Sequence, residues 1–158
     1  MGNYSGSTMA TATVREAAPG EEAAILAMYE WLFEPPGYRP PRWDEQHARL
    51  ALTEAIVSPS SAVFVAEEDD SLVGCCTAYL ELNSVRFGQR CWIEDLAVDP
   101  GRRSAGIGGA LLDAAADWAR GAGATHLELD TGIARNDAQR FYEQRNPAAK
   151  GFSYTWLL

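Results

Sequence analysis

Hydrophobic and polar positions alternate, or form short apolar runs, in six stretches of the chain, and these stretches predict β-strands. The second, third and fourth strands follow one another through short polar links, which predicts an antiparallel meander. A helix separates the fourth strand from the fifth, and such a connection predicts that these two strands run parallel. The predicted strands are residues 11–16, 62–67, 72–82, 90–98, 125–131 and 151–158.

Four helices are predicted between these strands, because apolar residues recur there at helical spacing. The first begins after a Pro-Gly pair with two glutamates in its first turn, and carries Ile25, Met28 and Leu32 on one face. The prolines of residues 34–41 end it, since proline cannot continue a helix. The others are expected at residues 43–56, from the glycines near residue 106 to residue 120, and at residues 134–144.

The length and composition are typical of one globular domain: 158 residues, of which 47% are hydrophobic and 22% charged. We expect residues 10–158 to form that single domain. Residues 1–9 are mostly polar and end in a second methionine, so we expect a flexible leader, for which addition during cloning is one origin. No apolar run approaches the roughly 18 residues that span a bilayer, and no secretory signal pattern is present, so no membrane partner is expected.

Charge and cysteine usage narrow the expected partners. The formal net charge is −9 and the pI about 4.6, whereas proteins that bind phosphate backbones are basic, so no nucleic-acid partner is expected. An acidic surface favours a cationic small molecule, or serves solubility alone. Cys75, Cys76 and Cys91 form no Cys-x-x-Cys pair and neither histidine lies near them, so no metal is expected. Reduced thiols indicate a cytoplasmic protein.

Residues 102–112 read Arg-Arg-Ser-Ala-Gly-Ile-Gly-Gly-Ala-Leu-Leu and join a predicted strand directly to a helix. Gly106, Gly108 and Gly109 let the backbone turn sharply and approach a ligand closely. The first helical turn offers unpaired N–H groups, and Arg102 and Arg103 add charge-assisted contacts. This order predicts a cradle for a phosphate ligand; a glycine turn without a ligand is the alternative. The spacing does not match the dinucleotide fingerprint, and no lysine follows as in a P-loop.

The spacing Arg103-x-x-Gly106-x-Gly108 resembles the pyrophosphate-binding signature of the GNAT superfamily of acetyl-CoA-dependent N-acetyltransferases. Residues 93–100 (Ile-Glu-Asp-Leu-Ala-Val-Asp-Pro) and 136–142 (Asn-Asp-Ala-Gln-Arg-Phe-Tyr) resemble the family too. The resemblance implies an α/β (α+β) fold, with a mixed, mostly antiparallel central sheet flanked by helices in the order β-α-α-β-β-β-α-β-α-β. It also implies acetyl-CoA as co-substrate.

The same resemblance implies where acetyl-CoA lies. In the family, the strand before the glycine turn splays from the next parallel strand, and the pantetheine arm pairs with main chain in the gap. Carried over to this chain, the arm would contact the main chain of Leu96, Ala97 and Val98, and the pyrophosphate would contact the amides of Ser104, Ala105, Gly106, Ile107, Gly108 and Gly109. Asn136 is a weaker candidate for the arm, because the family's asparagine lies seven residues before the tyrosine and Asn136 lies six before; an N-cap role is the alternative.

Two residues are candidates for the chemistry by this resemblance: Glu94 as base and Tyr142 as acid. An alkylammonium with a pKa near 10 is about three units from its neutral form at pH 7, so a base must take its proton, and the CoA thiolate leaves more easily when an acid protonates it. A salt-bridged Glu94 and a packed Tyr142 with its hydroxyl bonded elsewhere are the alternatives. Strand alternation predicts that only one of Glu94 and Asp95 faces the cleft.

The predicted function is transfer of an acetyl group from acetyl-CoA to a primary amine of a small, cationic molecule by direct attack. A protein lysine or N-terminal acetyltransferase and a catalytically silent acyl-CoA-binding module are the alternatives. Residues 34–45 mix Tyr38 and Trp43 with acidic side chains, which suits a cationic acceptor, or they form a proline-stiffened connector. Cys91 lies too far along its strand from Glu94 to favour an acyl-enzyme. Family members often dimerise, so a homodimer stays open.

Overall fold

The structure, a computed structural model, describes residues 11–158 and is built around a five-stranded sheet whose strands lie in chain order. The strands are β1 (Thr13–Glu16), β2 (Ser61–Glu68), β3 (Ser71–Ser84), β4 (Gly88–Val98) and β5 (His126–Leu129). Neighbours from β1 to β4 pair antiparallel, and β4 pairs parallel with β5. The predicted meander and the parallel crossover are confirmed. The leader expected at residues 1–9 lies outside the described residues.

The helices of the described residues are α1 (Glu22–Met28), α2 (Glu30–Phe33), α3 (Glu45–Val57), α4 (Ile107–Gly121) and α5 (Asn136–Glu143). The first predicted helix therefore corresponds to two helices in the structure, α1 and α2, which are separated at Tyr29. Tyr29 keeps a helical backbone (φ −66°, ψ −22°), so the apolar spacing continues through the break. Among the described residues, no helix has both the length and the apolar character that crossing a membrane requires.

Helices cover both faces of the sheet, and each face has its own core. On one face α4 buries Ile107, Leu111 and Ala115 against alternate strand residues, as their spacing predicts. On the other face Ile25 of α1 and Leu52 of α3 pack on the opposite set of strand side chains. The sheet is thus held firmly from both sides, which fixes the strand ends that carry the candidate site.

The strand predicted at residues 151–158 is wrong: the described chain forms no strand there, and all eight residues are exposed. The alternation of apolar and polar residues in this segment is real, but a strand also needs a neighbour to pair with. Here Lys150 donates to Glu143 of α5 (2.7 Å), and Arg42 donates to the carbonyl of Leu158 (3.4 Å). These contacts hold the segment between α5 and the α2–α3 connection rather than beside the sheet.

Candidate functional site

The strands β4 and β5 pair only over a short stretch and then part. The parallel ladder joins Arg90–Ile93 of β4 to His126–Leu129 of β5, and no described strand pairs with the later part of β4 on that side. On its other side this part of β4 continues to pair with β3 up to Val98. We call the gap between residues 94–98 and residues 130–135 the fork. Its β4 wall presents main-chain N–H and C=O groups that need partners.

A cavity of about 180 Å³ lies in the fork and brings several candidate residues together. Its lining includes Glu94, Asp95, Leu96, Asp130, Arg135 and Tyr142. Two of these residues, Glu94 and Tyr142, are the ones predicted from the sequence for proton transfer. Ionisable groups that converge in one cavity are a common mark of an active site.

A β-bulge at Glu94 shapes the floor of this cavity. Ile93 pairs with Ala78 and Asp95 with Thr77, so Glu94 between them has no partner on β3. A bulge breaks the alternation of side chains along its strand. The carboxylates of Glu94 and Asp95 both raise the pKa of Tyr79, after the larger effect of its burial, so both lie near that ring. The expectation that only one of the two residues faces the cleft is therefore wrong, because the bulge removes the alternation on which it rests.

The two carboxylates have different surroundings. Glu94 is exposed, and the Nε1 of Trp92 donates to its Oε2 at 2.6 Å. Asp95 is largely buried: Tyr29 donates from its hydroxyl to Oδ2 at 2.8 Å, and the Asp95 amide donates to Thr77 Oγ1 at 3.1 Å. Burial raises the pKa of Asp95 above its ordinary value, and the hydrogen bond from Tyr29 opposes this shift. The carboxylate of Glu94 is thus open to solvent, whereas that of Asp95 is held by Tyr29.

Tyr142 faces the fork from the last turn of α5. Its ring packs edge-on against Phe141 at 5.1 Å and contacts the core beneath α4. Burial raises the pKa of the Tyr142 phenol to about 12, and the nearby charge of Arg135 opposes the shift. The hydroxyl therefore stays protonated across the neutral range and is available as a hydrogen-bond donor.

Arg135 ties the far wall of the fork to the helices on the other face. Its Nη2 donates to the carbonyl of Leu32 in α2 at 2.6 Å. Gly37 lies against this contact: a Cβ there would come within 1.9 Å of the Leu32 carbonyl and 2.3 Å of Arg135 Nη2. Only glycine fits so close to backbone atoms. The loop after β5 is thus clamped to α2 across the mouth of the fork.

The glycine turn lies at the end of β4, beside the fork. Ser104 and Gly106 take left-handed backbone conformations (φ 69° and 82°), and α4 begins at Ile107 with no side chain capping its first amides. Residues 101–106 are exposed, whereas Ile107 is buried and anchors the helix start. A Cβ on Gly106 would meet nothing within 4 Å, so open space lies beside the residue that precedes the helix, and a Cβ on Gly109 would come within 3.0 Å of Arg145 Nη1. An uncapped helix start facing open space fits an anionic group such as a diphosphate.

Aromatic side chains cluster where α2 meets the following loop, and one of them, Tyr29, connects the cluster to Asp95. Trp43 packs against Phe33 at 4.8 Å and against Tyr29 at 6.0 Å, and Tyr29 in turn holds Asp95. Arg39 lies over the Phe33 ring at 4.5 Å. Tyr38, the other aromatic residue expected to contact an acceptor, points to solvent with 75% of its surface exposed. Of the two aromatic residues singled out in the sequence, Trp43 alone lies near the candidate site.

Residues 25–146 match the sequence model of the family described as the acetyltransferase (GNAT) family. The chain belongs to the GNAT family of acetyltransferases. The match covers most of the described chain, from α1 to the residues just after α5, and so includes both the fork and the glycine turn. The mixed fold expected from the sequence is that of this family.

Known proteins place this GNAT protein among N-acetyltransferases. The uncharacterized N-acetyltransferase YhdJ of Bacillus subtilis is 37% identical over 96 residues, which cover 61% of this chain and 68% of that protein. The aminoalkylphosphonate N-acetyltransferase of Salmonella typhimurium is 30% identical over 115 residues, 73% of this chain and 75% of that protein. This chain is therefore an acetyl-CoA-dependent N-acetyltransferase.

A solved structure with a similar fold is the aminoglycoside N-acetyltransferase AAC(6')-Iy in complex with CoA. The TM-score is 0.80, and the alignment covers 94% of this chain and 95% of that chain. The sequences are only 15% identical, so the likeness concerns the fold alone. No group of three or more His, Cys, Asp or Glu side chains within residues 11–158 is arranged to hold a metal ion.

Two residues predicted to contact the cofactor, Arg102 and Asn136, do not line the cavity in the fork. Arg102 is exposed, and its guanidinium already forms an ion pair with Glu68 of β2. Asn136 is the first residue of α5 and is exposed, and it is not among the residues that line the fork. The N-cap alternative for Asn136 is wrong, since Arg135 occupies the cap position.

Sequence reasoning missed two residues that line the fork, Asp95 and Arg135, and a third, Tyr29, that donates a hydrogen bond to Asp95. Strict strand alternation excludes Asp95 from the cleft once Glu94 is placed there, and nothing in the sequence marks the bulge. Arg135 occupies the position seven before Tyr142 where the family usually has asparagine, which was the available signal. Nothing in the sequence marks Tyr29 as part of the site, because a tyrosine at helical spacing predicts a core residue as well as a residue that contacts a site.

Proposed function

We propose that this GNAT enzyme transfers the acetyl group of acetyl-CoA to a primary amine of a small, cationic molecule by direct attack. The observation that carries the proposal is the fork, where the carboxylates of Glu94 and Asp95 and the phenol of Tyr142 border one cavity. Acyl transfer to an ammonium needs a proton acceptor at nitrogen and a proton donor at sulfur. Both kinds of group are present there.

Acetyl-CoA would bind along the β4 wall and at the glycine turn. The pantetheine arm takes the free main-chain positions of Leu96, Ala97 and Val98, since β5 has parted from β4 there. The diphosphate takes the uncapped amides between Ser104 and Gly109, with Arg103 supplying positive charge. When bound in this way, the co-substrate brings its thioester to the fork. Asn136 is a weaker candidate contact, because it is exposed at the start of α5.

The proton path follows from the surroundings of each group. Glu94 takes a proton from the ammonium, directly or through water, because it is exposed and not part of an ion pair within the described chain. The neutral nitrogen forms a bond to the acetyl carbon while the carbon–sulfur bond breaks. Tyr142 donates its proton to the leaving sulfur, and its pKa of about 12 keeps that proton in place until then. Asp95 holds negative charge near the incoming ammonium.

Direct attack is supported by the state of the thiol on the same strand. Cys91 is fully buried, and burial raises its pKa to about 11, so little thiolate exists at neutral pH. An acyl-cysteine intermediate would need that thiolate at the surface. The three cysteines of the chain are free, which fits the proposed cytoplasmic location, since thiols stay reduced there.

A small cationic acceptor is supported by charge and by relatives. The net charge of the chain is −9, and Glu94, Asp95 and Asp130 all border the fork. The names of the aminoalkylphosphonate and aminoglycoside N-acetyltransferases indicate small molecules that carry amino groups. Arg135 and Leu32, joined by a hydrogen bond, both line the cavity of about 180 Å³, a volume that fits a small molecule better than a protein segment.

An acceptor screen tests this function. Wild-type protein is mixed with acetyl-CoA and a panel of free amines, including polyamines, aminoglycosides, aminoalkylphosphonates and neutral aromatic amines, with lysine peptides as a separate group, and thiol release is followed. We expect turnover on at least one cationic small amine, with kcat/KM at least 10-fold above that for lysine peptides. Activity on peptides alone would make the protein a protein acetyltransferase. CoA binding without turnover on any amine would make it a silent module.

A further inference from the structure

The chain that follows α5 lies against the start of α4. The amide of Arg145 donates to the carbonyl of Tyr142 at 3.0 Å, so Arg145 comes directly after the last turn of α5. A Cβ on Gly108 would lie 3.5 Å from Phe141 Cζ. A Cβ on Gly109 would lie 3.0 Å from Arg145 Nη1, which is closer than ordinary van der Waals contact. The absence of a side chain at Gly109 therefore lets the Arg145 guanidinium lie against the first turn of α4.

In the protein alone, this is an unfavourable place for a positive charge. The start of a helix carries the positive end of its dipole, and cations are favoured at the opposite end. The first helical hydrogen bond of α4 runs from the Ala110 amide to the Gly106 carbonyl, so the amides of residues 107–109 have no helical partner. Arg145 is held there by an ion pair with Asp113, whose side chains are 34% and 64% exposed, and exposed ion pairs contribute little to stability. An anion between the guanidinium and the free amides would interact favourably with both.

The diphosphate of CoA has more negative charge than the glycine turn alone balances. Each of its two phosphates is ionised at neutral pH, and Arg102 is already paired with Glu68. Arg145 offers a second guanidinium on the α5 side of the same amides. Its Nη2 donates to Asp113, whereas Nη1, which faces Gly109, donates to no oxygen within residues 11–158. One N–H-bearing nitrogen of Arg145 thus remains available to a phosphate oxygen.

We propose that Arg145 binds the diphosphate of CoA together with the amides at the start of α4, and that it thereby couples cofactor binding to the helix that carries Tyr142. This inference rests on the proposed binding of CoA at the glycine turn. Nη1 donates to a diphosphate oxygen, while the ion pair with Asp113 keeps the side chain extended along α4. Because the Arg145 amide bonds to the Tyr142 carbonyl, an anion held by Arg145 also holds the end of α5 against α4.

Calorimetric titration of CoA into variants of the full chain tests this contact. Arg145→Gln removes the guanidinium. Arg140→Gln is the matched control, because Arg140 lies on α5 as well but is exposed and pairs with Asp137 of the same helix. We expect CoA affinity to fall about 10-fold or more in Arg145→Gln and less than about twofold in Arg140→Gln. The loss in Arg145→Gln should become smaller at high salt, because dissolved ions screen the contact.

A second variant, Asp113→Asn, separates a ligand contact from a purely structural ion pair. If the pair with Asp113 serves only the fold, Asp113→Asn and Arg145→Gln break the same interaction and change CoA affinity in the same direction. In the proposed site, removal of the Asp113 charge leaves the guanidinium to the diphosphate alone and removes a nearby repulsion. Asp113→Asn should therefore bind CoA about threefold more tightly than wild type.

Dephospho-CoA and amide hydrogen exchange test the two remaining parts of the proposal. Dephospho-CoA lacks the 3′-phosphate and keeps the diphosphate, so the loss of affinity in Arg145→Gln should be the same with this ligand. Saturating CoA should slow the exchange of amides 140–146 in the wild type, and it should slow them much less in Arg145→Gln, because the end of α5 is then no longer held by the bound anion.

Four results would overturn this role of Arg145 in a wild-type protein that binds CoA. They are equal CoA affinities of wild type and Arg145→Gln, weaker binding in Asp113→Asn, a loss that disappears with dephospho-CoA, and exchange at the end of α5 that CoA leaves unchanged. The third result would assign Arg145 to the 3′-phosphate. A wild type that does not bind CoA would overturn the proposed function itself. Circular dichroism checks that each variant folds, as expected for an ion pair that is partly exposed.

Discussion

Replacing Tyr142 with Phe should lower kcat for acetyl transfer about 100-fold while leaving CoA affinity within about threefold of wild type. The substitution removes only the hydroxyl, so the ring keeps its packing against Phe141 and the core under α4. Proton donation to the departing sulfur acts in the transition state, and general acids of this kind contribute about 100-fold or more. An interaction made only in the transition state changes kcat rather than binding.

The pH dependence separates this role from a structural one. Burial raises the pKa of Tyr142 to about 12, so the phenol stays protonated up to at least pH 10 and should produce no loss of activity on the alkaline side below that. Tyr142→Phe should therefore show the wild-type profile at uniformly lower kcat. Phe141→Leu, which alters the neighbouring ring but not the phenol, is the control and should keep most of kcat. Wild-type kcat in Tyr142→Phe would contradict the role of Tyr142 as acid.

Replacing Glu94 with Gln should lower kcat/KM at pH 7 about 100-fold, and the loss should shrink as the pH rises. At pH 7 an alkylammonium must lose a proton before it attacks, at a cost of about 4 kcal/mol, and the amide of glutamine cannot accept that proton. Above a pH of about 10 most of the amine is already neutral, so a base contributes little and the effect of the substitution on kcat/KM becomes small. The measurement is kcat/KM from pH 6.5 to 10.5 for the best amine of the acceptor screen.

Asp95→Asn is the matched comparison, since it neutralises the neighbouring carboxylate at the same bulge. It should raise KM for a cationic amine more than it lowers kcat, because Asp95 contributes charge rather than proton transfer. Burial raises the pKa of Asp95, so the carboxyl contributes most to stability below its ordinary pKa, and this contribution is lost as the pH rises from there through the raised pKa. Asp95→Asn should therefore not lower the melting temperature at pH 7. Loss of kcat in Asp95→Asn with activity kept in Glu94→Gln would reassign the base to Asp95.

The strand order and the helices on both faces could be predicted from the sequence because they follow from local periodicity. Ile107, Leu111 and Ala115 mark the buried face of α4. The polar links between β2, β3 and β4 are so short that consecutive strands can pair only antiparallel, as a meander. The segment of residues 151–158 shows where local periodicity stops being sufficient. Its alternation of apolar and polar residues predicts a strand, but none forms among the described residues, because a strand also needs a neighbour to pair with and the rest of the fold provides none there.

One part of the candidate site could likewise be predicted from the sequence, and another part could not. The glycine turn was found because Gly106 and its neighbours stand in fixed order between a strand and a helix, which is a local signal. The fork depends on where the β4–β5 ladder stops and on the bulge at Glu94, and both arise from pairing with distant strands. The roles of Asp95, Tyr29 and Arg135 depend on these contacts across the fold, so a reading along the chain assigns them no place in the site.

Calorimetric titration of CoA into wild type, Gly106→Asn and Gly106→Asp tests most directly whether the amides at the start of α4 hold the diphosphate. Asn and Asp tolerate the left-handed backbone of Gly106 and have nearly the same shape, and the space in front of Gly106 is open, so the two variants differ mainly in one negative charge. We expect CoA binding by wild type, a modest loss in Gly106→Asn, and at least a further 10-fold loss in Gly106→Asp. No heat of CoA binding in wild type, or equal affinities for the two variants, would contradict the account.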